Sequence, residues 1–209
     1  MAECAAKVIS DNNLSSRITI FDALSTSLSV QAGAAGENGG PGVCETLLMP
    51  ARAHVLVSET FGDDPFSESF LPSLAHAREH LIEPNAIIVP RGMTVFAVIV
   101  ESSELRAVHS IQTGGEEDGA GFDLGAWECF GRERWSVRVE DSDVTYLTDP
   151  FPAISLDWRE TTPPMEAQRP AVDVSVIHGG KADAVVFWYM LDMGGGGELS
   201  TAPGAAAAK

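Results

Sequence analysis

Between Ala53 and Gly92 the residues read strand, loop, helix, strand, with prolines and glycines at the joints, and this stretch restricts the fold more than any other. Ala53-His54-Val55-Leu56-Val57-Ser58 is short and almost continuously apolar, the signature of a strand buried on both faces of a parallel sheet. Glu59 follows at once. Gly62 and Pro65 then forbid a regular helix through the loop that continues to Glu68. From residue 69 to 83, Phe70, Leu71, Leu74, Ala77, Leu81 and Ile82 recur at spacings of three and four, one apolar stripe of a helix. Ser69 suits the N-cap and Pro72 a first turn, and Pro84 marks the stop. Ala86-Ile87-Ile88-Val89 reads as a second buried strand, closed by Pro90-Arg91-Gly92. The unit is βαβ, which requires the two strands to run parallel.

The flanks differ in style. Ala2 to Ile9 is Ala-rich and predicts a short helix stopped by Asp11-Asn12-Asn13; Arg17 to Phe21 predicts a strand; residues 31–42 predict a Gly/Ala-rich surface connection. After Gly92 the strand-like runs are Thr94–Glu101, Trp135–Val139, Ile154–Trp158, Val172–Ile177 and Ala184–Leu191. Turn-rich loops at 113–121, 161–170 and 194–197 separate them, and no convincing helix does. This half is therefore expected to be an antiparallel β sandwich or barrel. The last residues, after Pro203, are low-complexity.

Charge narrows the partners. The 209 residues carry a formal net charge of −17, which lacks the electrostatic footprint for holding a nucleic-acid backbone and favours basic partners such as Lys- or Arg-rich peptides. No apolar run approaches the roughly 20 residues of a membrane span, and the N-terminus lacks the basic and long apolar regions of a signal peptide. Cys4, Cys44 and Cys129 are odd in number and far apart, with no C-x-x-C pair, so the cytoplasm or nucleus is the expected compartment.

The best candidates for chemistry are Glu59, where the first buried strand ends, and Glu68, beside the helix start. In open α/β sheets ligands bind outside the carboxyl ends of the strands. Two carboxylates held close do not both stay ionised without a cation between them, and a guanidinium, planar and always charged, has donors for two. From spacing alone, two solvated loop acids in a chain with 30 acids is the favoured reading. His76 and His80 lie one helical turn apart and have ligand spacing, but no third metal ligand is evident. Trp127, Trp135 and Trp188-Tyr189 read as core before they read as an aromatic surface, and Glu116-Glu117-Asp118 as a solvated loop.

The stretch V-S-E-T-F-G-D-D-P-F-S-E-S-F-L-P-S-L-A-H-A-R-E-H-L-I-E-P-N-A-I-I-V-P-R-G resembles the protein arginine methyltransferases. S-E-x8-E-S before an apolar helix is similar to their double-glutamate substrate loop, and the continuation to their entry into a C-terminal β-barrel. The helix wording and the run D-V-T-Y-L-T-D-P-F-P-A-I-S-L-D-W are most similar to the seventh, monomethylarginine-forming member. The resemblance covers about residues 5–203 and implies α/β plus β: the C-terminal part of a Rossmann-like S-adenosylmethionine-dependent methyltransferase domain, then a partial antiparallel β-barrel. It implies residues 1–92 as the incomplete methyltransferase domain with its loop at 59–68, 93–203 as the barrel, and 204–209 as a tail.

The resemblance also implies roles. Glu59 and Glu68 would orient the substrate guanidinium for in-line methyl displacement, and Leu24, Ser25, Thr26 and Ser58 would lie near S-adenosylmethionine. Substrates would be arginine-rich proteins or peptides, histone-like or spliceosomal-like, with a dimer or a second module as pairing partner. The subgroup's Asp three residues after the first glutamate is Gly62 here. No G-x-G-x-G occurs, and Ser200-Thr201-Ala202-Pro203 is similar to the segment before the family's Thr-His-Trp loop, which is not found either. The chain is therefore expected to start after the cofactor loop and to be inactive alone. The residues leave two classes open, an S-adenosylmethionine-dependent enzyme and a non-catalytic module that binds Arg-rich peptide.

Overall fold

A computed structural model describes residues 1–31, 43–44, 47–109, 139, 144–159 and 171–204. They fall into two compact units, one formed by Met1–Arg91 with Trp158 and Arg159, the other by Gly92–Asp157 with the described residues from 171 onward. The expected strand at 135–138, the loops at 113–121 and 161–170, the connection at 32–42, Trp127 and the acid run 116–118 lie outside the described residues. No described helix is long and apolar enough to cross a membrane.

The first unit opens with α1 (Ala2–Asp11), β1 (Ile20–Phe21), a 3-10 turn (Ser25–Ser27), β2 (Ser29–Val30), β3 (Val43–Cys44) and β4 (Leu48–Met49). The strand expected over 17–21 is shorter than its β-branched run, because residues 15–17 form a turn. β1 pairs in parallel with β3. β2 pairs in parallel with β4. A two-residue pairing needs only that the returning chain come alongside in extended form.

The βαβ unit is present as β5 (Ala53–Val57), α2 (Phe70–His80) and β6 (Ile82–Val89), with β5 and β6 parallel. Phe70, Leu74, Ala77 and Leu81 of the expected stripe are buried. Helix α2 stops before Pro84: Arg52 donates from its two Nη atoms to the carbonyls of Glu79 and Ile82, each at 2.8 Å, and so closes the last turn. The burial expected of β5 on both faces does not hold. Val55, Val57 and Ile87 are 51%, 71% and 63% exposed, while Ile88 on the other face is buried. The cause is that α2 packs on one face only; a continuous apolar run is buried twice when both faces are covered.

The second unit is a five-stranded antiparallel sheet built on β7 (Gly92–Glu101). One edge of β7 pairs with β10 (Ala184–Gly194), which hairpins into β11 (Gly197–Ser200). The other edge takes β8 (Thr145–Tyr146) and β9 (Phe151–Asp157). The central position buries both faces of β7: Met93, Val95 and Ala97 on one, Val98 and Val100 on the other. Tyr189 is core as expected, and Trp188 stacks on Phe96 at 6.1 Å. The hairpin falls on the expected glycines, since Gly194, Gly195 and Gly196 all take positive φ.

Two expectations fail here. Val172–Ile177 is not a strand; only Val176 forms a bridge, with Thr148, and Val172, Val176 and Ile177 are exposed. Alternation of Val with polar residues marks a segment able to pair, and no longer partner lies alongside among the described residues. A helix also interrupts the strands, α3 (Ser103–His109). Ser102 caps it, its Oγ accepting the Leu105 N–H at 3.2 Å. Asp183, its side chain 1% exposed, accepts the Ser102 N–H at 3.1 Å and the Arg106 Nη2 at 2.7 Å. The Arg106 hydrogen bond holds the Asp183 carboxyl below its ordinary range, against the burial that raises it, and the Ser102 N–H adds to the lowering. The same hydrogen bond raises Arg106.

Candidate double-glutamate site

The first unit brings the two glutamates onto one loop by identifiable forces. Strand β5 ends at Val57, and the Ser58 N–H donates to the Val89 carbonyl at 2.9 Å, so Glu59 leaves from the carboxyl end of a parallel pair. Ser58 and Thr60 share a hydroxyl hydrogen bond at 3.0 Å across Glu59. Two residues after each glutamate stands a phenylalanine, and these two rings meet: Phe61 lies 4.5 Å from Phe70 between centroids. Phe70 in turn lies 5.0 Å from Trp158, whose side chain is fully buried. The aromatic contact ties the start of the loop, just after Glu59, to its end, just after Glu68.

The far side of the loop is a tight turn. The Asp64 carbonyl accepts the Ser67 N–H at 3.1 Å and the Ser67 hydroxyl at 2.8 Å, and Asp64 Oδ1 accepts the Phe66 N–H at 3.0 Å. Asp at the first position, Pro65 at the second and Ser67 at the fourth is the residue pattern such a turn requires. Ser69 follows in the left-handed region (φ 59°) and makes no side-chain cap bond, so its expected capping role is corrected: its backbone, and not its hydroxyl, starts α2. This kink sends Glu68 back over the loop, where its Oε1 lies 3.0 Å from the point a Cβ on Gly62 would occupy. Both glutamates are exposed.

The other expected residues are more scattered in character. Leu24 is 76% exposed and precedes the 3-10 turn that carries Ser25 and Thr26; this turn lies against α2. His76 and His80 stack with centroids 4.7 Å apart, and His80 Nε2 lies 3.6 Å from Glu79. No group of three metal-ligating side chains is present among the described residues. Sequence reasoning missed the Phe61–Phe70–Trp158 stack and the Asp64–Ser67 turn. The turn had a signal in Asp64-Pro65; the stack had none, since Trp158 is about ninety residues away in the chain.

Two exposed carboxylates lie on this loop, one at each side of its turn. No protein-family model matches the chain. It is 29% identical over 204 residues to an arginine N(omega)-methyltransferase of Streptomyces achromogenes subsp. streptozoticus, with 97% of this chain and 50% of that protein covered. It is 27% identical over 210 residues to protein arginine N-methyltransferase 7 of Rattus norvegicus, covering 95% of this chain and 28% of that protein. The chain thus spans half or less of these curated relatives. Among solved structures, the Trypanosoma brucei PRMT1 enzyme–prozyme heterotetrameric complex with AdoHcy matches 97% of this chain and 58% of its own, with a TM-score of 0.64 at 14% identity. The resemblance read from the double-glutamate loop therefore holds along nearly the whole chain, and the fold is that of the arginine methyltransferases from the βαβ unit into the antiparallel half-barrel.

Proposed function

We propose that this relative of the arginine N-methyltransferases contributes to the transfer of a methyl group from S-adenosylmethionine to a guanidinium nitrogen of protein arginine, with Glu59 and Glu68 holding the guanidinium. The observation that carries the reading is the loop in which Phe61 and Phe70, each two residues past a glutamate, meet at 4.5 Å. With both carboxylates ionised, the guanidinium donates hydrogen bonds to each and its plane is fixed. One nitrogen is then presented to the methyl sulfonium, and positioning with electrostatic stabilisation does the rest. Residues 1–92 supply the wall of the cofactor site and 93–203 the barrel; Leu24, Ser25, Thr26 and Ser58 face the cofactor. S-adenosylmethionine, when bound, supplies the electrophilic methyl group.

The substrates in this reading are arginine-rich proteins of histone or spliceosomal type, met in the cytoplasm or nucleus, and a second copy or module completes the assembly. The 209 residues contain no G-x-G-x-G, so by themselves they hold the cofactor weakly and transfer no methyl group. The test is calorimetric titration with an Arg-rich peptide, its Lys-for-Arg counterpart and a neutral peptide of equal length. The Arg peptide binds best, and salt weakens binding through screening of the −17 net charge. Equal binding of the Arg and neutral peptides sinks the reading.

A further inference from the structure

We infer that Gly62 is a positioning residue: the space left by its missing side chain sets where the Glu68 carboxylate rests. The inference rests on the reading of Glu68 as a guanidinium ligand. A Cβ on Gly62 would lie 2.9 Å from Ser67 Oγ, 3.0 Å from Glu68 Oε1 and 3.7 Å from the Asp64 carbonyl oxygen. The first two distances are too short for carbon against oxygen, so something gives way. The backbone of Gly62 lies outside the left-handed region, so alanine there tests space and not backbone strain.

The loop decides which partner yields. Ser67 is held twice by the Asp64 carbonyl, through its N–H and its hydroxyl, and Asp64 is itself engaged by the Phe66 N–H. Pro65 is buried and fixes the turn's φ. Phe61, the neighbour of Gly62, is pinned on Phe70. Glu68 has three side-chain torsions, is exposed, and forms no ion pair or hydrogen bond among the described residues. Its carboxylate therefore moves. The Ser67 hydroxyl, the nearer contact, rotates aside while the Ser67 N–H keeps the turn, and the methyl group pushes the Glu68 carboxylate outward by a few tenths of an ångström. Recognition of a planar cation by two carboxylates is lost by such displacements.

The experiment uses the full 209-residue chain with glutamate side-chain carboxyls labelled with carbon-13, observed by nuclear magnetic resonance during titration with an Arg-rich peptide. In the wild type the Glu59 and Glu68 signals both move on titration. Gly62→Ala shifts the Glu68 signal in the free protein, leaves Glu59 in place, keeps the melting temperature and weakens binding by about tenfold. Ser67→Ala alone, which removes the other contacted oxygen and leaves the space at Gly62 open, keeps the Glu68 signal and the binding of the wild type, which separates displacement of Glu68 from disturbance of the Ser67 hydroxyl. If Glu68→Gln binds the peptide as the wild type does, the reading of Glu68 as a ligand is wrong. If Glu68→Gln weakens binding while Gly62→Ala does not, or weakens it with an unmoved Glu68 signal, the role of Gly62 alone is overturned.

Discussion

Strands β5 and β7, five and ten residues long, are both apolar and rich in valine, and the molecule treats them oppositely. In β7 residues on both faces are buried, Met93, Val95 and Ala97 on one and the fully buried Val98 and Val100 on the other, and partners pair with both of its edges. In β5 a single partner strand is present among the described residues, and Val55 and Val57 stand open to solvent. The same composition thus yields a core in one unit and an uncovered face in the other. What differs is what lies over the faces, since α2 covers one face of the β5–β6 pair; the pairing differs too, antiparallel strands being joined by short hairpins such as Gly194–Gly197 and parallel strands by long crossovers. The candidate site grows from the less covered of the two strands, and its order comes from aromatic and turn contacts in the loop, with little from the sheet.

The largest expected effect follows from that last point. Phe70 is 2% exposed, touches both Phe61 and Trp158, and begins α2. Phe70→Ala should destabilise the first unit by about 3–5 kcal/mol through lost transfer and the cavity left behind. Chemical denaturation followed by tryptophan fluorescence measures it; a loss near zero would mean that the aromatic stack is not what holds the loop.

A matched pair of valines sharpens the contrast between strands. Val98→Ala should cost roughly 1.5–3 kcal/mol, the worth of a fully buried valine side chain. Val57→Ala, at a position 71% exposed, should stay within about 0.5 kcal/mol. Equal losses in the two variants would show that the face of β5 is covered after all.

How much of this was legible in the sequence follows from the same contrast. Proline and glycine at fixed places announced the βαβ unit, the hairpin at 194–197 and the two-part character of the chain, because those residues act locally. The glutamates were legible as a pair only through S-E-x8-E-S and its resemblance to a known loop. Burial of β5, pairing of β1 with β3 and the failure of 172–177 to form a strand all depend on which segments come alongside, and a linear pattern does not carry that. Helix α3 escaped notice because seven residues hold barely two turns; its stability comes from Asp183, about eighty residues further on.

That anchor gives the smallest effect and tests the second unit's own order. Asp183 has its carboxyl lowered by the Arg106 hydrogen bond, so its stabilising contribution is complete above the unfolded carboxylate range and is lost as pH falls through the folded value. Asp183→Asn should melt below the wild type at neutral pH, and the gap should narrow only as pH falls below the ordinary carboxylate range and through the lowered folded value of Asp183. Melting curves across that interval report it; a gap that stays constant would assign the effect to packing.

The central claim is that Glu59 and Glu68 act on one guanidinium as a unit, and a double-mutant cycle tests it most directly. Affinity for an Arg-rich peptide is measured for the wild type, Glu59→Gln, Glu68→Gln and the double variant. Each single change should remove most of the affinity gained over the Lys-for-Arg peptide, and the double change should remove little more, giving a coupling of about 1–3 kcal/mol. Two independent losses that simply add, or none at all, would contradict the account.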